Sequence, residues 1–261
     1  MNDNKKTHDH KTVNRSLPPQ QLKDQLYREP RDNVADFAFD ESVATVFADM
    51  IQRSVPGYAA IISMIGVLAG QYARQGSICY DLGCSLGAGS LAMQHHIKAN
   101  DCRIIAVDSS EAMVKRCRTN IDKHDTSLPI DVVCADIREV LIQNASVAVL
   151  NLVLQFIAVD DRYPLLTKIY DGLLPGGVFI LSEKIAFADP TEEQQQVEMY
   201  HAFKRLNGYS DLEINQKRTA LENVLVLDTL AAHLERLNAI GFSQCYTWFQ
   251  CFNFASIVAI K

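Results

Sequence analysis

A glycine-rich turn between an apolar segment and a helical pattern constrains this chain more than any other feature. The apolar segment Ile78-Cys79-Tyr80 leads into Asp81-Leu-Gly-Cys-Ser-Leu-Gly-Ala-Gly-Ser90, and a helical pattern continues through residues 91–93. Glycines in such a turn let the backbone approach a ligand, and the first N–H groups of the helix are free to bind it. The turn therefore predicts a nucleotide-binding site.

A carboxylate at the end of the next predicted strand supports this interpretation. Residues 103–107 read Arg-Ile-Ile-Ala-Val and are followed by Asp108, twenty-one residues after Gly87. A carboxylate in that position accepts hydrogen bonds from both hydroxyl groups of a ribose. Together the turn and Asp108 predict adenosine binding.

Two other site types share this kind of turn. A dinucleotide site requires G-x-G-x-x-G, whereas this turn has Asp81 two residues before Gly83, and that carboxylate would repel a pyrophosphate. Residues 83–87 also match the G-x-S-x-G turn that carries the nucleophile of hydrolases, with Ser85 as the serine. Only helical patterns precede the turn, however, and no downstream Asp and His stand out as triad partners. Both alternatives are disfavoured.

The remaining alternative is a ligand with a cationic amino-acid end, which suits the acidic start of the turn. Residues 81–87 resemble the D-x-G-x-G-x-G loop of S-adenosylmethionine (SAM) enzymes, with Ser85 in place of the middle glycine. The sequence is therefore interpreted as that of a SAM-binding protein.

Alternating strand and helix patterns predict an α/β fold with a doubly wound, mostly parallel seven-stranded sheet. The run 147–156 is apolar on both faces, as in a central strand, except for Asn151 and Gln155 near its end. Asp136, after the third strand, lies at the same ligand-binding edge; it either accepts a hydrogen bond from an adenine amino group or caps a helix. Strands are predicted at 77–82, 102–107, 130–135, 146–151, 177–183, 243–250 and 252–260, and helices at 88–98, 111–124 and 160–173.

The segments outside this alternation are predicted to be helical or disordered. Residues 1–34 are polar and are predicted to be a disordered tail, and residues 35–261 form a single domain. Two amphipathic helices precede the sheet, the first after Asp40 as N-cap and the second with Pro56 in its first turn. A helical insertion at about 188–223 and a helix at 228–240 precede the last two strands. The insertion's predicted apolar stripe consists of Met199, Tyr200, Phe203 and Leu206.

The amino-acid composition indicates which classes of binding partner to expect. The 261 residues are 48% hydrophobic and 21% charged, which is ordinary for a globular domain. No apolar run reaches the ~20 residues that cross a membrane, and the seven cysteines include no C-x-x-C pair, so we expect reduced thiols, no metal site and a cytoplasmic location. A net charge of −6 without a basic patch argues against direct nucleic-acid binding and favours a small-molecule substrate.

Longer strings resemble one family within the SAM enzymes, the bacterial carboxy-S-adenosyl-L-methionine (carboxy-SAM) synthases. The resemblance runs from about Phe37 to Lys261, and Ala48 departs from it, since the family usually has proline there. The similar strings are Phe47-x-Asp-Met-Ile-Gln-Arg-Ser-Val-Pro-Gly-Tyr58, Tyr80-Asp-Leu-Gly-Cys-Ser85, Leu181-Ser-Glu-Lys184, Phe203-Lys-Arg-x-Asn-Gly-Tyr-Ser210, Gln216-Lys-Arg218, Leu221-Glu-Asn-Val224 and Trp248-Phe-Gln-Cys-Phe-Asn-Phe254.

The resemblance implies a class I SAM-dependent methyltransferase fold, which is Rossmann-like, and an unusual reaction. The family converts SAM to carboxy-SAM with prephenate as carboxyl donor and releases phenylpyruvate. A partner enzyme, a tRNA uridine carboxymethyltransferase, then uses carboxy-SAM to modify the wobble uridine. A sulfonium stabilises an adjacent carbanion, so a deprotonated methyl can capture CO2 while a closed insertion keeps water out. Family members are homodimers.

The resemblance also assigns roles to residues. Arg218 binds the new carboxylate, since a guanidinium fork matches a carboxylate, and the insertion delivers it either within its own subunit or across the dimer interface. Ser109 stands where the family has asparagine, and its shorter side chain makes a ribose contact less certain. The group that removes the methyl proton is not identified. The implied SAM contacts are Tyr58, Gly83, Cys84, Ser85, Asp108, Ser109, Asp136, Ile137, Asn151 and Arg218.

Two alternative functions remain open at this point. An ordinary SAM-dependent methyltransferase of small molecules would share the fold, although the [ND]-P-P-[YF] signature is absent because Leu152-Val-Leu154 follows Asn151. A non-catalytic SAM-binding protein would use the acidic insertion as a docking surface.

Overall fold

The sheet of the computed structural model, which describes residues 22–124 and 128–261, has seven strands in the order β3-β2-β1-β4-β5-β7-β6. Neighbouring strands are parallel from β3 to β5, and β7 is antiparallel to both β5 and β6. The strands are β1 (Ile78–Leu82), β2 (Arg103–Asp108), β3 (Ile130–Cys134), β4 (Ala145–Asn151), β5 (Leu173–Lys184), β6 (Gln244–Cys251) and β7 (Phe254–Ile260). The predicted doubly wound, mostly parallel seven-stranded sheet is confirmed.

The helices cover both faces of this sheet and its carboxyl edge. Asp40 caps the first of them as predicted, with its side chain accepting from the Val43 N–H at 2.9 Å. The second begins at Tyr58, so Pro56 precedes it and Gly57 is its N-cap. The helices are α1 (Glu41–Ser54), α2 (Tyr58–Tyr72), α3 (Ala88–His96), α4 (Glu111–Ile121), α5 (Val159–Gly172), α6 (Pro190–Leu206), α7 (Asp211–Glu222) and α8 (Leu230–Ile240).

The central strand β4 ends at Asn151, where the strand predicted at 146–151 also ends, although the apolar run continues to residue 156. Leu152 adopts a positive φ of 64°, and residues 154–156 form a short 3-10 turn that contains Gln155. The cause is Glu183 on the neighbouring strand β5. Its Oε1 accepts from the N–H groups of Val153 and Leu154 at 3.1 and 2.8 Å, and its Oε2 from Gln155 at 3.1 Å. A buried carboxylate therefore turns the chain away from the sheet, directly after Asn151.

The N-terminal segment is ordered earlier than the predicted boundary at residue 34. Asp24 and Tyr27 are buried, and the Tyr209 hydroxyl donates to Asp24 at 2.6 Å. Gln216 on α7 donates to the Tyr27 carbonyl at 2.9 Å and accepts from the Arg31 N–H at 2.8 Å. The polar composition of this segment conceals the packing, because its partners come from the distant insertion. Residues 1–21 of the predicted tail lie outside the described residues.

The insertion before β6 is helical, as predicted, but of the stripe predicted on α6 only Tyr200 is buried. Tyr200 is buried against Phe254, with ring centroids 5.2 Å apart, and Lys204 on the same face is buried as well. Met199 and Leu206 are instead 42% and 85% exposed. Tyr200 and Lys204 share one face because residues four apart are neighbours on a helix. The helix thus turns a lysine inward and leaves apolar side chains outside.

In the part of the chain that the structure describes, no single helix is both long and apolar enough to span a membrane. Helices α1 and α2 meet the length and composition required only when taken together, and they are bent by 98° at the break between them.

The contacts of Glu183 predict the effect of Glu183→Gln. Either oxygen of a carboxyl group accepts from an N–H, whereas an amide nitrogen does not, so the variant leaves a buried backbone N–H unpaired. The free energy of unfolding should fall by about 1–3 kcal/mol in urea titrations. Glu235→Gln, at an exposed position on α8, is the control and should leave stability unchanged. Equal stability of the two variants would show that Glu183 does not hold the turn after β4.

Candidate functional site at the carboxyl edge of the sheet

A cavity of about 640 Å³ opens at the carboxyl edge of the parallel strands, below α6 and α7. Its lining comes from the loops after β1, β2, β3 and β4 and from one face each of α1, α2, α6 and α7. All ten residues that the sequence predicts as SAM contacts line this one cavity, namely Tyr58, Gly83, Cys84, Ser85, Asp108, Ser109, Asp136, Ile137, Asn151 and Arg218.

The turn after β1 passes so close to the next loop that it requires glycine. Gly83 has a φ of 83°, and a Cβ at this position would lie 2.3 Å from Cγ2 of Val153. Val153 is held by Glu183, as described above, so it has little freedom to withdraw. The glycine therefore lets the backbone turn at the floor of the cavity.

Asp108 links the ends of β1 and β2. Its Oδ2 accepts from the Ser85 N–H at 2.8 Å and its Oδ1 from the Ser110 N–H at 2.9 Å. The first bond holds Ser85 at a positive φ of 51°, a conformation that costs about 1–2 kcal/mol for a residue with a Cβ. Burial raises the pKa of Asp108, and the two N–H donors oppose that shift. Each carboxylate oxygen retains a further lone pair for a ligand hydroxyl.

Asp81 supplies a second buried carboxylate at the start of the turn. It is 3% exposed, and the Ser90 hydroxyl donates to its Oδ2 at 2.6 Å. Burial raises the pKa of Asp81 to about 6. Burial, and then the charge of Asp81, also raise the pKa of Tyr58, so its phenol stays protonated and acts as a donor. A buried carboxylate with a raised pKa is a strong site for a cation.

The geometry around Ser85 and Cys84 does not support a nucleophile. The Ser85 hydroxyl donates to Sδ of Met113 at 3.7 Å, and a thioether cannot remove its proton. The Sγ of Cys84 lies 4.0 Å from Sγ of Cys117, and this neighbour together with burial raises the pKa of Cys84. A thiol held in its protonated form is a poor nucleophile. The match of the turn to the hydrolase pattern is therefore not accompanied by hydrolase geometry.

Asn151 is the residue at the end of β4 with an unsatisfied polar atom. Its side-chain Oδ1 is buried and has no hydrogen-bond partner within the described ranges. Buried acceptors are usually paired, so an unpaired one that lines a cavity indicates a site for a ligand.

The residues predicted to lie near the adenine and ribose differ in exposure and in the hydrogen bonds that they already make. Ile137 is buried and Ser109 is exposed. The carboxylate of Asp136 is already engaged by Arg138, whose N–H, Nε and Nη2 donate to it at 2.8, 3.1 and 2.6 Å. Asp136 thus stabilises the turn after β3, and the helix-cap alternative is wrong because the described residues between β3 and β4 include no helix. A hydrogen bond that this carboxylate accepts from the adenine amino group stays a prediction.

Cations gather at the side of the cavity formed by the insertion. Arg218 is exposed on α7 and has no carboxylate within 4.0 Å among the described residues. Three lysines that are not among the predicted SAM contacts also line the cavity, namely Lys184, Lys204 and Lys217. The available signal was the spacing of Tyr200 and Lys204, which places both on one face of α6.

Known proteins resemble this chain over most of its length. The methyltransferase domain family matches residues 79–177. The carboxy-S-adenosyl-L-methionine synthase of Trichlorobacter lovleyi is 58% identical over 240 residues, which cover 91% of this chain and 98% of that protein. The synthase of the same name from Geobacter metallireducens is 59% identical over the same shares of both chains.

Solved structures with low identity show the same fold. Human N-acetylserotonin methyltransferase in complex with SAM superposes with a TM-score of 0.56 and 16% identity, covering 85% of this chain and 55% of that one. Identity near this level supports only the class I methyltransferase fold. Two relatives are more than half identical to this chain over nearly their whole length, and identity at that level shows the family. The chain belongs to the family of the carboxy-S-adenosyl-L-methionine synthases.

Proposed function

We propose that this protein converts SAM to carboxy-SAM, with prephenate as carboxyl donor and phenylpyruvate as the second product. The observation that carries the proposal is the position of Arg218. A cation without an ion-pair partner among the described residues lines the same cavity as the turn and carboxylates that suit SAM. An ordinary methyltransferase has no use for a cation beside the methyl group, since a positive charge there opposes a cationic sulfonium.

The reaction balances without any further reagent. Prephenate loses its ring carboxyl as CO2 and its ring hydroxyl as hydroxide, which leaves phenylpyruvate. The SAM methyl loses a proton and gains CO2, and the proton and the hydroxide together form water. The protein has to bind two charged substrates side by side, keep CO2 from escaping and stabilise a new carboxylate.

The turn and strand ends supply the SAM contacts in this proposal. Asp81 pairs with the ammonium of the methionine part, and Asp108 accepts from the ribose hydroxyls. The free Oδ1 of Asn151 faces the sulfonium side, where a partial negative charge is favourable. The two carboxylates and the unpaired Oδ1 of Asn151 thus match the charges of SAM.

Arg218 binds the carboxylate that forms on the sulfonium methyl. A guanidinium presents two parallel N–H donors to a carboxylate, and this bidentate pairing is stronger than a single neutral hydrogen bond. Because Arg218 is on α7 of the insertion, carboxylate binding also favours the closed position of α6 and α7. Closure keeps water from the carbanion and from the CO2.

The family also suggests the next enzyme, the cellular location and the oligomeric state. The product passes to a tRNA uridine carboxymethyltransferase, the chain works in the cytoplasm, and it forms a homodimer. The exposed apolar side chains of the insertion, Met199, Leu206 and Leu212, support a contact between two copies on that side.

Mass spectrometry of the reaction tests the proposal. Purified protein with SAM and prephenate should yield carboxy-SAM, heavier than SAM by the mass of one CO2, in equal amount to phenylpyruvate. Formation of the demethylated product of SAM with an added acceptor would identify an ordinary methyltransferase. Unchanged SAM in both reactions would favour the non-catalytic alternative.

The first binding prediction concerns Asp108→Ala. The variant loses two charge-assisted bonds to the ribose and releases the Ser85 N–H, so SAM affinity should fall by about 2–4 kcal/mol in calorimetric titrations. Asp131→Ala, at an exposed position on the neighbouring strand β3, should bind SAM as the unaltered protein does. Unchanged affinity of a folded Asp108→Ala would remove this residue from the site.

Arg218→Ala tests discrimination between substrate and product. SAM has a methyl where carboxy-SAM has a carboxylate, so the variant should lose about 1.5–3 kcal/mol of affinity for carboxy-SAM and keep its affinity for SAM. Arg218→Lys should recover only part of the difference, because an ammonium lacks the bidentate fork. Equal losses for both ligands in competition titrations would mean that Arg218 has a structural role.

The pKa of Asp81 predicts how SAM binding depends on pH. The folded-state pKa of about 6 lies above the ordinary value, so the free protein favours the protonated carboxyl and loses stability from this group as pH rises through about 6. The SAM ammonium favours the ionised carboxylate instead, so affinity should rise over the same interval with release of a proton. Asp81→Asn should abolish this dependence. An unaltered pH profile in that variant would assign the ammonium to another group.

A further inference from the structure

Three lysines from three different elements converge on the cavity beside Arg218. Lys184 ends β5, Lys204 lies on α6 and Lys217 on α7, and all three line the cavity. Lys204 and Lys217 are only 5% and 7% exposed. We call these three residues the lysine cluster. Lysines are rarely buried to this degree unless they are paired with an acid.

The lysine cluster has no such acid. Within residues 22–124 and 128–261, no carboxylate oxygen lies within 4.0 Å of its ammonium groups. The Nζ atoms of Lys184 and Lys204 lie 5.2 and 4.7 Å from the ring centre of Tyr200. The Nζ of Lys217 donates to the Ser54 hydroxyl at 3.2 Å. A ring face and a hydroxyl do not neutralise three ammonium groups.

The nearest acidic groups are engaged elsewhere. Asp24 favours the charged forms of Lys204 and Lys217, but it accepts from the Tyr209 hydroxyl at 2.6 Å. Glu193 favours the charged form of Lys184, and its carboxylate accepts from the Phe187 N–H at 2.8 Å. Both carboxylates therefore act on the lysine cluster from outside hydrogen-bonding distance.

In the free protein, burial destabilises the charged forms of these lysines. Burial lowers the pKa of Lys204 well below its ordinary range, and the neighbouring Lys217 and Lys184 lower it further. Burial also lowers the pKa of Lys217 to about 8. Arg218 adds a further positive charge at this end of the cavity, and burial lowers the pKa of the neighbouring His201. Packing alone does not account for such an arrangement, since apolar side chains of similar volume would be at least as stable. An anion in the cavity would compensate it.

The donor of the proposed reaction has two carboxylates with different fates. The ring carboxylate leaves as CO2 and ends on the product, where Arg218 binds it. The carboxylate of the 2-oxo acid side chain stays on the donor and is still present in phenylpyruvate. Building on the proposed function, we propose that Lys184, Lys204 and Lys217 form a subsite for this retained 2-oxo acid carboxylate.

This subsite explains how the donor is oriented. The lysine cluster fixes the end of the donor that does not react, so that the ring carboxylate points away from it towards Arg218 and Asn151. Because Lys217 and Arg218 are consecutive on α7, both anchors move together with the insertion. Donor binding and closure over SAM are thereby coupled.

The test uses Lys204→Met and Lys217→Met, with phenylpyruvate as the probe ligand. Phenylpyruvate carries only the retained carboxylate, so both variants should bind it at least ~10-fold more weakly in calorimetric titrations. SAM affinity should stay within a few-fold. The KM for prephenate should rise by a similar factor, whereas Arg218→Ala should leave phenylpyruvate binding unchanged. Lys115→Met, at an exposed position on α4, is the matched control and should change none of these quantities.

Stability provides a second readout. Since burial disfavours both ammonium groups, the two Met variants should unfold at the same temperature as the Lys115→Met control or at a higher one. Lower unfolding temperatures would show that the lysines support the fold and would overturn the subsite. Unchanged phenylpyruvate binding, or equal loss of phenylpyruvate and SAM, would overturn it as well. Failure of the unaltered protein to form carboxy-SAM would instead contradict the proposed function, and lysine-dependent phenylpyruvate binding would still be measurable.

Discussion

The hydrogen bonds between Glu183 and the backbone after β4 are the interaction on which the site depends. By accepting from three consecutive N–H groups, this carboxylate ends the central strand at Asn151 and fixes Val153 against Gly83. Asp108 does the same for the turn after β1 through the Ser85 N–H. The carboxyl edge of the sheet is thus shaped by buried carboxylates that hold backbone, and the cavity forms between the loops that they hold.

Opposite charges occupy opposite sides of this cavity. Asp81 and Asp108 lie on the sheet side, where a cationic sulfonium ligand with an ammonium and a ribose fits. Arg218, Lys204 and Lys217 lie on the insertion side, next to Lys184 at the end of β5, and this group of cations suits carboxylates. A substrate pair made of a cation and a dianion complements this polarity. Neither side is neutralised within the described residues, and bound substrates would provide the missing charges.

The sheet and most of the site could be predicted from the sequence because their signals are local. The glycine turn, Asp108 and the alternation of strands and helices each lie within a few tens of residues. The turn after β4, the packing of Asp24 and the inward face of α6 could not be predicted, since each depends on a partner distant in sequence. Lys204 was missed for the same reason: a charged residue on a helix is normally exposed, and only the cavity opposite it shows otherwise.

In the proposed reaction, CO2 passes from donor to acceptor inside the cavity. The most direct measurement follows prephenate labelled with carbon-13 in its ring carboxyl, in buffer containing excess unlabelled bicarbonate. We expect the carboxyl group of the carboxy-SAM formed to carry the label undiluted, because the CO2 does not leave the space between Arg218 and Asn151. Carboxy-SAM with a largely unlabelled carboxyl would show that CO2 equilibrates with solvent and would contradict the account.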